Sequence, residues 1–108
     1  MEQNYSIKEK RAIVKVLNDI MCADGDADKS EVNFLAKVIQ ALQMSRNDLN
    51  EALALDVDSS AIILKNMNRV KKKQLSELME IIATIDGRIA PEELSICTAI
   101  NIAVDIPA

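Results

Sequence analysis

The chain predicts an all-α domain, a compact bundle of two pseudo-symmetric helical hairpins joined by short helices. Three observations carry this. Apolar residues recur at helical spacing along nearly the whole length, and no strand alternation stands out. Only two Gly and two Pro occur in 108 residues, too few turn-formers for a many-stranded chain. Aromatic residues are 2% of the chain, so Leu, Ile, Val, Met and Ala must fill the core, a set suited to helix-on-helix packing. With 49% hydrophobic residues there is enough apolar material for one core, and 1–108 reads as a single domain.

The elements follow in order. Ser6 and Glu9 have capping-box spacing. They open a helix whose face is Ile13, Val16, Leu17, Ile20 and Met21, with Gly25 as its stop. Asp28 and Glu31 repeat the capping spacing before Val32, Leu35, Val38, Ile39 and Leu42, with Phe34 on the flank. Ser45 caps a third helix through Leu49, Ala52 and Leu53. Asp56–Ser60 reads as a turn, with Asp58 or Ser59 capping a short helix over Ala61–Met67. Asn68 caps a long helix from Arg69 to about Ile85, with the stripe Val70, Leu75, Leu78, Met79, Ile82 and Ile85, ended by Gly87. Pro91 suits a first helical turn, and two acids follow it. The last helix, to about Val104, is apolar nearly all round. It is expected at the centre of the bundle, the other reading being that it covers a partner.

Composition excludes several functions. With no His, the Ser-His-Asp and Cys-His nucleophile arrangements, His-ligated zinc and the commonest general base near neutral pH are absent. A net charge of −4 argues against a nucleic-acid binder, and the acids at the helix starts after each Asp-Gly turn argue against a helix-turn-helix reader. Cys22 and Cys97 have no metal-ligand spacing and are expected as buried thiols in a reduced compartment. No apolar run approaches a membrane span, and Lys15 interrupts the first apolar stretch, so a cytoplasmic location is expected.

A shift of 62 residues carries Asp24-Gly25 onto Asp86-Gly87 and Glu31 onto Glu93. It also places Ile13, Val16, Leu17 and Ile20 on Leu75, Leu78, Met79 and Ile82. We read an internal repeat of 13–44 and 75–106, each copy a helix, an Asp-Gly stop, a short loop and a second helix with Glu in its first turn.

The Asp-Gly loops concentrate hard oxygen donors. An acid at a helix C-terminus opposes the dipole by ~0.3–1 kcal/mol, so choosing one twice suggests a use. If the copies pair, Asp24, Glu31, Asp86 and Glu93 converge into an all-oxygen site for Ca²⁺, Mg²⁺ or Mn²⁺. The loop is not an EF-hand, because Lys29 and Leu35 stand at the required Gly and Glu positions. Asp28 and Glu31 also fit plain helix capping, and Gly25 a plain helix stop.

The segments Ala23-Asp24-Gly25-Asp26-Ala27-Asp28-Lys29-Ser30-Glu31 and Ile85-Asp86-Gly87-Arg88-Ile89-Ala90-Pro91-Glu92-Glu93 resemble the two acidic segments of TerB-like domains, named for tellurite resistance. The resemblance runs from about Ile7 to Val104. It implies an all-α domain with an acidic metal-binding surface at Asp24, Glu31, Asp86 and Glu93. It also implies a role in stress or chemical defence near membrane complexes. Ala27, Ile85, Arg88 and Ala90 depart from the pattern, and they make the second half-site the poorer one.

Arg69, Lys71, Lys72 and Lys73 form a basic stretch, either a patch for anions or an acidic partner, or an ordinary solvated helix face. The functional expectation is a non-catalytic interaction or sensor module with a protein partner, membrane-associated by the resemblance, and no specific nucleic acid. The alternative is a small carboxylate-metal hydrolase, since paired acids on a metal can activate water.

Overall fold

The computed structural model describes residues 4–23, 25, 27–85, 87 and 90–106. Among them the chain forms six helices and no strand: α1 (Ile7–Met21), α2 (Lys29–Ala41), α3 (Arg46–Ala54), α4 (Val57–Lys65), α5 (Arg69–Thr84) and α6 (Pro91–Val104). None is long and apolar enough to cross a membrane.

Most helix starts are written in short polar side chains. Ser6 and Glu9 exchange hydrogen bonds with each other's backbone N–H groups, as do Ser45 and Asp48, so orphan amides at the starts of α1 and α3 are satisfied. Asn68 accepts from the Lys71 N–H at 2.9 Å and opens α5. The start of α4 differs from the sequence expectation. Asp56, rather than Asp58 or Ser59, is the cap and accepts the Ser59 N–H at 2.6 Å. The polar run therefore lies inside the first turn of α4. Ser60 is buried there because its hydroxyl donates back to the Asp56 carbonyl at 2.9 Å.

The centre of the fold is α1, which packs against all five other helices. Ala12, Ile13, Val14, Leu17 and Ile20 are wholly removed from solvent. Val14 lies off the expected face and is buried because α1 is covered on more than one side. The short helices α3 and α4, expected as mere connections, pack along α1. An ion pair between Arg11 and Asp48 at 2.9 Å fastens α3 to it. The extents, 32 × 31 × 26 Å with a radius of gyration of 12.6 Å, match one packed domain of this length, for which about 13 Å is usual.

The expectation for the last helix is overturned. α6 lies at the edge: only Glu93 and Val104 are buried, while Ile102 is 76% and Leu94 46% exposed. With α1 already at the centre, α6 needs to bury a single face, and its remaining apolar residues meet solvent. Val32, Leu53, Val70 and Ile85, assigned to core stripes, are likewise exposed. Cys22 is exposed at the end of α1, and Cys97 is half-buried.

Leu17→Ala should therefore cost about 2–5 kcal/mol in urea unfolding, the usual price of a large-to-small change in a packed core. Ile102→Ala should stay within about 0.5 kcal/mol. Equal losses would mean that α6 is as central as α1.

Candidate functional site

The two loops that follow α1 and α5 turn alike. The N–H of Gly25 donates to the Cys22 carbonyl and that of Gly87 to the Thr84 carbonyl, each at 3.0 Å. Both glycines have φ +79°, a left-handed conformation that disfavours any side chain even though the space around each is open. Asp24, Asp86 and Arg88 lie outside the described residues.

The described members of the acidic set, Glu31 and Glu93, both turn inward. Glu31 is 1% and Glu93 2% exposed, the least accessible charged side chains described. Glu31 sits at the third position of α2, where its Oε1 accepts the Asp28 N–H at 3.2 Å, while Asp28 accepts the Ser30 N–H at 2.7 Å. The second oxygen, Oε2, is buried with no hydrogen-bond partner among the described residues. Capping thus accounts for one oxygen and leaves the other unmatched, at a cost of roughly 1–3 kcal/mol. Glu93 occupies the first turn of α6, whose N-cap, Ala90, offers no side-chain hydrogen bond and whose first turn holds Pro91. Burial, with the Glu93 charge adding to it, pushes the Cys97 thiol up to about 11, so that sulfur is a poor thiolate source.

Among the described residues, no group of three or more His, Cys, Asp or Glu side chains is placed to hold a metal ion. Glu31 and Glu93 therefore form no ligand set with other described acids. The burial of the two glutamates went unread in the sequence, although its signal was there. Glu31 shares the i, i+4, i+7 line of Leu35 and Val38, and Glu93 that of Cys97, Ile100 and Val104.

The basic stretch divides. Lys71 Nζ is 2.8 Å from Glu9 Oε1 and 5.5 Å from the centre of the Tyr5 ring, while the Tyr5 hydroxyl donates to Gln74. Lys71 is thus part of a clamp that ties the segment before α1 to α5. Lys72 donates to the Asp105 carbonyl at 3.5 Å, and Arg69 and Lys73 stand exposed. Any anion surface rests on Arg69, Lys72 and Lys73 more than on Lys71.

Burial raises the Glu9 carboxyl, but the Lys71 hydrogen bond, the Ser6 N–H and the Lys71 charge together hold it below its ordinary value of 4.5. A depressed carboxylate stabilises the fold above its unfolded value and loses that contribution as pH falls through its folded value. Wild type should thus lose melting temperature from about pH 6 to about pH 3. Glu9→Gln should lose less over the same span. The pair is worth only about 0.2–1 kcal/mol, so the two slopes should differ modestly. Parallel slopes would show that the pair adds nothing.

Comparison with known proteins bears on both the fold and the loops. A family model described as tellurite resistance protein TerB matches residues 1–54, which include α1, the first Asp-Gly loop, α2 and α3. The crystal structure of a protein of unknown function from Porphyromonas gingivalis superposes with a TM-score of 0.80 at 20% identity, over 98% of this chain and 89% of that one. That likeness speaks to the fold alone. No match was found among curated proteins. The family match extends over half of the 108 residues and takes in the loop whose glutamate is buried, and on that ground the chain belongs to the TerB family.

Proposed function

We propose that the chain is a non-catalytic helical interaction or sensor module, in a stress or tellurite-resistance-like system. It would respond to Ca²⁺, Mg²⁺ or Mn²⁺ held through Asp24, Glu31, Asp86 and Glu93. The observation that carries this reading is Glu31 Oε2, a carboxylate oxygen closed off from water and unmatched by any described donor. A hard cation is a chemical match for such an oxygen. The α1–α2 and α5–α6 hairpins are read as pseudo-symmetric halves, each supplying one Asp and one Glu. The absence of His favours a module over an enzyme. Its partner would be a protein, met in the cytoplasm or at a membrane complex.

Cation binding would act on the helix starts. Glu31 caps α2 through its other oxygen, so a cation shared with Asp24 would link the loop after α1 to the first turn of α2. Arg88 and Ala90 weaken the second copy, and binding should depend more on Asp24 than on Asp86.

Thermal melts with and without millimolar Ca²⁺, Mg²⁺ or Mn²⁺ test the reading. A bound cation stabilises by RT ln(1 + [L]/Kd), about 2.7 kcal/mol at a hundredfold excess over Kd. Asp24→Asn and Glu31→Gln should remove most of this gain and leave the metal-free protein as stable as wild type or more so. Asp28→Ala should instead cost about 0.5–2 kcal/mol with or without metal, as a lost cap does. An unshifted wild type would reduce Asp28 and Glu31 to helix caps.

A further inference from the structure

Between α5 and α6 lies a cleft that the acidic loops do not use. Its volume is about 280 Å³, close to the lower end of the ~300–1,000 Å³ usual for a small-molecule site. α5 lines it with Met79, Glu80, Ala83 and Thr84, and α6 with Leu94 and Thr98, spacings that keep each set on one helix face. Met79 and Ala83 are buried and form an apolar floor, to which Leu94 adds. Glu80, Thr84 and Thr98 stand exposed at the mouth.

The polar groups of the cleft are biased towards accepting hydrogen bonds. The Thr84 hydroxyl donates to the Glu80 carbonyl at 2.8 Å, and the Thr98 hydroxyl to the Leu94 carbonyl at 2.9 Å. A hydroxyl has one proton and two lone pairs, so each of these oxygens has only acceptor capacity left for a ligand. Ser76 and Asn101, which also line the cleft, can present either a donor or an acceptor. The Glu80 carboxylate makes no ion pair with any described residue, and among the described residues no Lys or Arg lines the cleft. α5 ends at Thr84 with no basic residue in its last turn, so the negative end of its dipole adds to the charge of Glu80. Such a site repels anions and matches a ligand rich in donors. One carboxylate balances one positive charge, whereas a hard divalent cation draws on several oxygen ligands.

We propose that this cleft binds an aliphatic primary ammonium, carried by a free amine or by a lysine side chain of a partner. The ammonium N–H groups pair with Glu80 and with the threonine oxygens, and the alkyl chain lies on Met79, Ala83 and Leu94. Neither Glu31 nor Glu93 lines the cleft, so the proposal does not rest on the cation reading. A failed metal titration and a failed amine titration are therefore separate results.

The test is a titration of the isotope-labelled full-length protein at neutral pH without added metal, read from backbone amide shifts in nuclear magnetic resonance. The probes are pentylamine, the blocked peptide acetyl-Gly-Lys-Gly-amide, pentanol and pentanoate. The better of the two ammonium probes should give saturable shifts centred on Met79–Thr84 and Leu94–Thr98, with Kd below roughly 5 mM. Tighter binding of pentylamine assigns the cleft to a free amine, and tighter binding of the peptide to a partner's lysine. Pentanol and pentanoate should bind at least about fivefold more weakly than that probe. Glu80→Gln should weaken it at least about fivefold, and Thr98→Val about twofold. Both positions are exposed, and circular dichroism of the variants should match wild type. Absence of saturable shifts with both ammonium probes would overturn the proposal. So would pentanol binding as tightly as pentylamine and the peptide, or ammonium binding unchanged in Glu80→Gln.

Discussion

The fold depends on the desolvation of α1. A helix with Ala12, Ile13, Val14, Leu17 and Ile20 wholly out of water cannot stand on one partner, and here it has five. A leucine, an isoleucine or a valine buried in this way contributes about 1.5–3 kcal/mol. The same helix sets where α2 to α5 sit, because each packs chiefly on α1, while α6 packs on α4 as much as on α1. α5, covered on fewer sides, buries Leu75, Met79, Ile82 and Ala83 and leaves Val70 and Ile81 exposed.

Polar groups then fix the helix starts around that centre. Caps at Ser6, Asp28, Ser45, Asp56 and Asn68 satisfy amides that packing alone would leave orphaned. Most of these caps do one job at the surface. Their capping-box partners Glu9 and Asp48 do two, Glu9 by pairing with Lys71 and Asp48 with Arg11; the Arg11 hydrogen bond and its Ser45 contacts together hold the Asp48 carboxyl below the usual carboxylate range. Glu31 is the exception in kind. It caps α2 with one oxygen and brings the other into the interior, where a charge is expensive unless something meets it. Capping of α2 does not require that second oxygen.

Most helix existence and order was legible in the sequence, since apolar spacing and capping residues act locally. Ser6–Glu9, Ser45 and Asn68 cap where their spacing predicts. What failed depends on tertiary competition for the same surface. α6 carries apolar residues all round, a pattern that cannot say which face a central α1 leaves for it, so Leu94 and Ile102 end up exposed. The α4 start was misplaced because Asp56, Asp58 and Ser59 are all good caps, and only the burial of Ser60 decides between them. Val32 and Val70 fit their stripes yet lie in first turns that no neighbour covers. In the candidate site, the residue types of Glu31 and Glu93 point to chemistry while their register with Leu35 and Val38, and with Cys97, Ile100 and Val104, points inward. The cleft between α5 and α6 was not legible, because helical spacing marks a stripe on each helix but not which stripes meet.

Native-state hydrogen exchange, resolved residue by residue, tests the centrality of α1 most directly. If α1 is the element on which the others depend, amides from Leu17 to Met21 should exchange only through global unfolding, with the full unfolding free energy and slope in denaturant. Amides in the C-terminal half of α6 should exchange through a smaller opening that leaves α1 protected. Amides of α6 as protected as those of α1, or α1 opening before it, would contradict the account.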